Sequence, residues 1–324
     1  ALCGLWAPSV KKILAKGYRN IFVLSTLLIA QMLLVFVFSG TSLWLQMYGT
    51  YGRSTGLFTY IALTLLMMSS AVASSSQFIS RFVILTISLG LLLVLYGQIQ
   101  HQGWDPFPFV NAYGSNVFGT LGNPNFMSAF MGMIGALAFT MTLNKSFNLP
   151  VRIALATLTM ASIVIIYETK SLQGNLNLAA GIIVTSILWL FMSKKKTIAI
   201  LVSGLAGAGG SLVFLGLINI GPVADSLYKS SLAARGYYWR AGVKMLFDHP
   251  FFGVGLDSYG DWYRRARTVE ATLRRGPDIV SNAAHNVLLD LSSNGGFPLL
   301  IIYLFMMILV VAAAIKVVKR SAGF

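Results

Sequence analysis

The sequence predicts an all-α, polytopic membrane protein with about eight transmembrane helices and one large exterior loop that contains an amphipathic helix. Three observations predict it. Hydrophobic residues make up 56% of the 324 positions and charged residues only 10%, and the mean hydropathy is +0.75. So few polar groups cannot cover a surface that faces water, whereas a lipid-facing exterior has to be apolar. Second, the apolar residues are gathered into runs of spanning length. Third, the charges between those runs alternate in kind from one side to the other.

A helix needs about 20 mostly apolar residues to cross the hydrocarbon core. Such runs fall at 21–39, 57–73, 82–100, 125–143, 151–167, 176–192, 197–219 and 297–315. The second and third are joined by the short, Ser-rich segment 74–80, which predicts a tight hairpin. The seventh contains Gly204 and Ala206-Gly-Ala-Gly-Gly210, small residues that let helices approach closely in a bilayer. The chain starts at Ala1 without Met and without a signal-peptide pattern. The expectation is an incomplete N-terminus that further helices precede, and a single membrane domain over 1–324.

With the N-terminus assigned to the cytoplasm, the inner segments hold Lys11, Lys12, Lys16, Arg19, Arg81, Lys145, Arg152, Lys194, Lys195, Lys196, Lys316, Lys319 and Arg320. These are thirteen basic residues with no acidic one. All nine acidic residues, Asp105 to Asp290, fall on the other side or at its membrane edge. The positive-inside rule therefore puts both termini in the cytoplasm and accounts for the net charge of +15 without a nucleic-acid partner. The exterior loop, about 220–284, carries nine Lys/Arg against six acids. Long loops are exempt from the rule, but an anion-binding surface is the sharper reading of that excess. Within it, residues 232–247 form an amphipathic pattern, with Arg235, Arg240 and Lys244 expected to face water and the aromatic and aliphatic residues the headgroup layer.

Several short stretches carry side chains with chemical potential. Gly119-Thr-Leu-Gly-Asn-Pro-Asn-Phe126 enters the fourth run, where Asn123 before Pro124 also suits an ordinary helix start. Arg53 stands at the exterior edge of the second run, where an anchoring arginine is the commoner explanation. Glu168 and Lys170, with Ser171, Gln173, Asn175 and Asn177 close behind, crowd one membrane edge, where polar groups need partners or water. They read as a polar turn or as the wall of a site. The Gly253-Val-Gly255 of His249-Pro-Phe-Phe-Gly-Val-Gly-Leu-Asp257 marks a tight turn and lacks the context of a dinucleotide fingerprint. His249 is expected to be an ordinary loop residue. Ala284-His-Asn-Val-Leu-Leu-Asp290 is the most informative stretch. His285 and Asn286 open an apolar helix and Asp290 lies within it. His285 suits a general base at neutral pH, with capping of the helix as its alternative role. One cysteine, Cys3, and no His-x-x-x-His spacing leave no transition-metal site to expect, and no cofactor is implied.

In this order and on this side of the membrane, the motifs resemble those of the O-antigen ligase and polymerase superfamily of bacterial membrane glycosyltransferases. The resemblance rests on Tyr51-Gly-Arg-Ser-Thr-Gly-Leu57, Gly122-Asn-Pro-Asn125, Arg235 through Trp239, Pro250-Phe-Phe-Gly-Val-Gly255 and Ala284-His-Asn286, and it covers roughly residues 40–315. The family's His-Asn, nine residues, Gly pattern is met by His285, Asn286 and Gly296. The resemblance implies metal-independent, inverting transfer of a glycan from an undecaprenyl-pyrophosphate carrier to an acceptor (glycan, lipid or protein) at the exterior face of the plasma membrane. Arg235 would clamp the diphosphate and His285 would take the acceptor proton. Arg53, Asn125, Lys170, Trp239, Arg240 and Asn286 complete the expected substrate-binding set. Members of the family often carry an arginine after the serine matched by Ser171. Leu172 and Gln173 stand there, so Lys170 or Arg53 would have to substitute. A multi-span solute transporter, or a relative that has lost its activity, is the alternative. A transporter should show internal repeats and interrupted helices, and no repeat is evident.

Overall fold

The computed structural model describes residues 18–107, 116–218, 220–227 and 230–321. Helices occupy nearly all of them, and no strand occurs among the described residues. In chain order these are α1 (Arg19–Phe38), α2 (Leu43–Tyr48), α3 (Leu57–Ala73), α4 (Ser76–His101), a 3-10 turn (Gly119–Leu121), α5 (Pro124–Thr142), α6 (Leu149–Glu168), α7 (Leu172–Met192) and α8 (Lys196–Leu217). The short α9 (Ala224–Leu227) follows, then α10 (Ser230–Asp248), α11 (Tyr259–Ala266), α12 (Val269–Arg275) and α13 (Val287–Ser321). Every expected apolar run is a helix. Among the described residues seven helices are long and apolar enough to cross a membrane, and α3, with 17 residues, is the shorter eighth. The expected amphipathic helix is α10, which extends a few residues beyond 232–247.

Local chemistry explains the boundaries. Asn123 accepts from the Asn125 amide and Pro124 follows at the first position of α5. Asn148 accepts from the Val151 amide at the start of α6, and Ser75 from the Phe78 amide at the start of α4. These side chains satisfy orphan donors of a first turn, and proline is tolerated there because its missing N–H would have had no partner.

The chain divides into two compact units. One comprises Ala1–Ser74 and Gly210–Phe324, the other Ser75–Gly209. The second unit packs α4, α5, α6 and α7 around Leu93, Met127, Met131, Ile134, Leu158 and Ile165. Its tightest contact is between α5 and α7, where Gly174 lies against Ser128: the Gly174 amide donates to Ser128 Oγ at 3.0 Å, and a Cβ on Gly174 would strike the Ser128 backbone. This is the small-residue packing that membrane helices use in place of a hydrophobic driving force. The apolar side chains that point away from these cores stay exposed, among them Leu66, Leu85, Leu92 and Val310, as a lipid-facing surface requires.

The first unit has two clusters. Leu28, Met32 and Val35 of α1, Leu57 of α3, and Leu291 and Leu299 of α13 enclose Leu256 of the connecting loop. Ala241 and Met245 of α10 pack with Val254, with Tyr259, Tyr263 and Ala266 of α11, and with Ala284. The two clusters are joined through a break in α13. Gly296 has φ 75° and ψ −177°, so two helical stretches meet there, and Pro298 begins the second much as a proline begins any helix. A break strands carbonyls on one side and amides on the other. The Val254 and Gly255 amides donate to Ser293 O (2.8 Å) and Asn294 O (3.1 Å), and the Phe297 amide donates to Pro250 O (2.7 Å). Gln31 Nε2 on α1 bridges Phe251 O and Gly295 O at 2.9 and 3.2 Å. The loop 250–255 is therefore a cap for a broken helix. Gly253 (φ +59°) has no alternative there, because a Cβ would collide with the backbone of Asn294 and Gly295.

Candidate active site

The candidate residues of the first unit stand on α10, on the turn before α13 and on the loop before α3. His285 sits in the turn with φ 54°, a left-handed conformation uncommon outside glycine. The conformation is held from both sides. Asp290 Oδ1 accepts from the Ala284 amide at 2.7 Å. Asn286 Oδ1 accepts from the amides of Leu288 and Leu289, at 3.0 and 3.3 Å. The cap of α13 is thus Asn286 and not His285, which leaves the imidazole available. Its ring lies 5.8 Å from the ring of Tyr238 on α10, and Tyr238 in turn packs edge-on against Tyr263 at 5.5 Å. The Tyr259 hydroxyl donates to Tyr238 O at 2.6 Å, so α11 fixes the α10 turn that carries the ring. Tyr259 is fully buried, and burial pushes its phenol well above the ordinary range.

The electrostatics of His285 follow from this placement. Burial of part of the ring, then the Arg235 guanidinium and, more weakly, Arg53, hold its pKa below the usual histidine value, while Asp290 pulls the other way. Burial and the guanidinium groups both favour the neutral imidazole, the form able to accept a proton. Among the described residues Arg235 makes no ion pair with a carboxylate.

The remaining expected residues differ in how far the fold already uses them. Arg53 Nε is 3.4 Å from Asp257 Oδ1, and Arg53 Nη1 donates to Asn282 O at 3.2 Å. Its guanidinium ties the loop before α3 to the loops that flank the His285 turn. Arg240 pairs with Glu270 at 3.1 Å and lies over the Tyr237 ring. Trp239 packs against the α10–α11 core, with its indole N–H buried and unpartnered. Asn286 is the helix cap. His249 stacks edge-on with Trp262 at 4.7 Å.

Asn125 and Lys170 belong to the second unit. There Asn125 Oδ1 accepts from Ser171 Oγ at 2.8 Å, and Lys170 is an exposed residue with φ 53° at the end of α6. Glu168 is held by Gln98 Nε2, 2.9 Å from both carboxylate oxygens, with His101 at 3.9 Å, so its partners are on α4 and not Lys170 beside it.

Sequence reasoning missed Asp257, whose carboxylate is almost completely buried. It accepts from the Thr50 amide at 2.7 Å as well as facing Arg53. It also missed Gln31 of α1, which bonds the backbone of loop 250–255, and Gln46 of α2, which bonds Phe36 O at the end of α1, Thr41 O and the Leu256 amide. A glutamine in an otherwise apolar run was the available signal, because an amide at membrane depth needs a partner.

The bundle of apolar helices is that of a polytopic membrane protein, and its first unit carries His285 with Arg235 and Arg53 as the cationic groups that act on it. Residues 155–304 match the family model described as O-antigen ligase, a stretch that runs from α6 past the break in α13 and includes Arg235, the 250–257 loop and the His285 turn. Over that stretch, a little under half of the chain, the protein is similar to O-antigen ligases. No curated protein and no solved structure gives a significant match.

Proposed function

We propose that the protein transfers a glycan from an undecaprenyl-pyrophosphate carrier to an acceptor hydroxyl at the exterior face of the plasma membrane, with inversion at the anomeric carbon and without a metal. The observation that carries the reading is the His285 turn: Asn286 and not the histidine caps the helix, and the Arg235 guanidinium that acts on the ring makes no ion pair among the described residues. The acceptor oxygen attacks the anomeric carbon as its proton passes to the imidazole. The bond from that carbon to the carrier's diphosphate breaks, and the diphosphate leaves with the electron pair. Arg235 binds the charge that develops there, a task suited to a planar fork that grips two oxygens at once. Arg53 adds positive potential while its own fork fixes the Asn282 loop. Asn286 and Trp239 contribute by holding the turn and the α10 wall, and Arg240 lines the rim through its pair with Glu270. Asn125 and Lys170 carry no step in this reading. Both termini face the cytoplasm.

The interrupted α13 favours a second reading, solute transport, because transporters bind substrate where a helix is broken. In such sites the freed backbone groups face the ligand. Here the carbonyls of residues 293–295 and the Phe297 amide are bonded to loop 250–255 and Gln31. The break is filled by protein, which supports the enzyme.

The deciding experiment is glycan transfer from a lipid-pyrophosphate donor by purified variants in detergent, with donor binding and melting measured alongside. His285→Ala should lose roughly 10²–10⁴-fold in rate with donor binding largely kept. Arg235→Lys should weaken binding and slow transfer together. Full activity in His285→Ala ends the general-base assignment. Orientation is tested with single cysteines at Ser258 and Ser193 in a Cys3→Ser background: an impermeant maleimide should label 258 and spare 193 in intact cells.

A further inference from the structure

The α11–α12 edge of the first unit is not used by the transfer chemistry, and its surface is unusual. On α12 the buried residue is Ala271, and on the opposite side Val269 and Leu273, one turn apart, are 76% and 81% exposed. Arg274 and Arg275 follow in the last turn, and Arg264 and Arg265 close α11. Ile279 and Val280 are exposed as well. This surface is held in shape. Arg267 donates to Pro277 O and Ile279 O at 2.8 and 2.9 Å, and Glu270, bonded to Arg240, Tyr237 and Arg274, ties α12 to α10. Glu270 is thereby neutralised. Among the described residues no carboxylate is in ion-pair range of Arg264, Arg265 or Arg275.

Largely exposed aliphatic side chains on a fixed scaffold, set beside guanidinium groups of which Arg264, Arg265 and Arg275 face no carboxylate among the described residues, suit one environment better than water. We infer that this edge docks on the anionic phospholipid headgroups of the leaflet it faces. Val269 and Leu273 enter the acyl boundary while the arginines bind lipid phosphates above them. Arginine suits that layer because its fork matches a phosphate and its aliphatic stem lies along apolar surface. Since α1 and α13 of the same unit are long and apolar enough to cross a membrane, the bilayer is within reach. A protein partner of ordinary affinity would instead call for buried aromatic anchors, which α12 does not offer.

The test uses the full chain with Cys3→Ser and Leu273→Cys, carrying a nitroxide, in nanodiscs of phosphatidylcholine alone or mixed with phosphatidylglycerol. Relative collision with oxygen and with a water-soluble nickel chelate reports immersion. The label should be immersed in the mixed discs and less so in the neutral ones. Replacing Arg264, Arg265, Arg274 and Arg275 by Gln should abolish the difference, each arginine accounting for about a fivefold change in the immersed fraction. A melting curve checks that this variant is folded, and the same readout with only Arg274→Gln and Arg275→Gln serves if it is not. A water-exposed label in both discs overturns the inference and leaves the edge to a protein partner. Equal immersion in both makes the insertion purely apolar and overturns the anionic part. Loss of the difference on adding inorganic pyrophosphate reassigns the arginines to a free anion.

Discussion

The polar ends of the two units are built from similar residues and end up with different properties. In the second unit Gln98 and His101 face Glu168, Ser171 donates to Asn125, Gln100 accepts from the Phe118 and Gly119 amides, and Asn177 donates to Ala129 O. These polar side chains are consumed by their own unit. In the first unit Asp257, Asp290 and Asn286 are consumed in the same way, but what they hold in place is a turn whose histidine, among the described residues, makes no hydrogen bond, near an arginine that makes no ion pair with a carboxylate among them. A polar cluster at a membrane edge is therefore not by itself a site. The groups to look for are those left unpaired by partners that are themselves fully engaged.

The contrast is broken most severely through the backbone. Gly253→Ala forces a side chain into a left-handed conformation and into the Asn294–Gly295 backbone, and it should cost about 3 kcal/mol or more. Folded protein and activity should be lost together, with a fall in melting temperature in detergent. An unchanged melting temperature would mean that the loop does not cap the broken helix. A chemical substitution in the second unit should do far less. Glu168→Gln leaves an amide facing Gln98, and it should lower stability by about 1 kcal/mol while transfer changes less than about threefold. A loss as large as that in His285→Ala would show that the second unit's end is also a site.

These cases separate what the sequence could reveal from what it could not. The spanning helices were legible because a hydrophobic run needs no partner to be recognised, and Asn123-Pro124 announces its own helix start. The turn at 284–286 stands out in the sequence as a candidate for chemistry because an ionisable residue in an apolar helix is unusual. The assignment of roles within it was not legible. Nothing in the local pattern says that Asn286 rather than His285 caps α13, or that Gly253-Val-Gly255 serves a break more than 40 positions away. The first is a side-chain bond whose owner depends on the turn's left-handed residue, and the second is a set of backbone hydrogen bonds between distant segments, which leave no periodicity behind. The arginines divide similarly. Arg53 and Arg235 look alike in sequence, yet Asp257 and Asn282 occupy the first, and only three-dimensional pairing shows it.

The smallest expected effect is the most specific to the proposed chemistry. Asp290 does two things for His285: its Oδ1 holds the Ala284 amide, and its charge favours the protonated imidazole. Asp290→Asn keeps an oxygen for the amide and removes the charge, so the turn should persist while the histidine loses its one stabilising anion. His285 already titrates below the ordinary value of 6.5, and the rate of a base-catalysed step is lost as pH falls through that pKa. Removing Asp290's charge lowers the pKa further, so the acid limb of the pH–rate profile should move to lower pH, with the rate at neutral pH changed by less than about threefold. A limb that moves to higher pH, or one that stays in place while His285→Ala is inactive, would mean that the titration seen in the profile is not that of His285. A profile lost entirely, with a lowered melting temperature, would make the hydrogen bond to Ala284, rather than the charge, the contribution of Asp290.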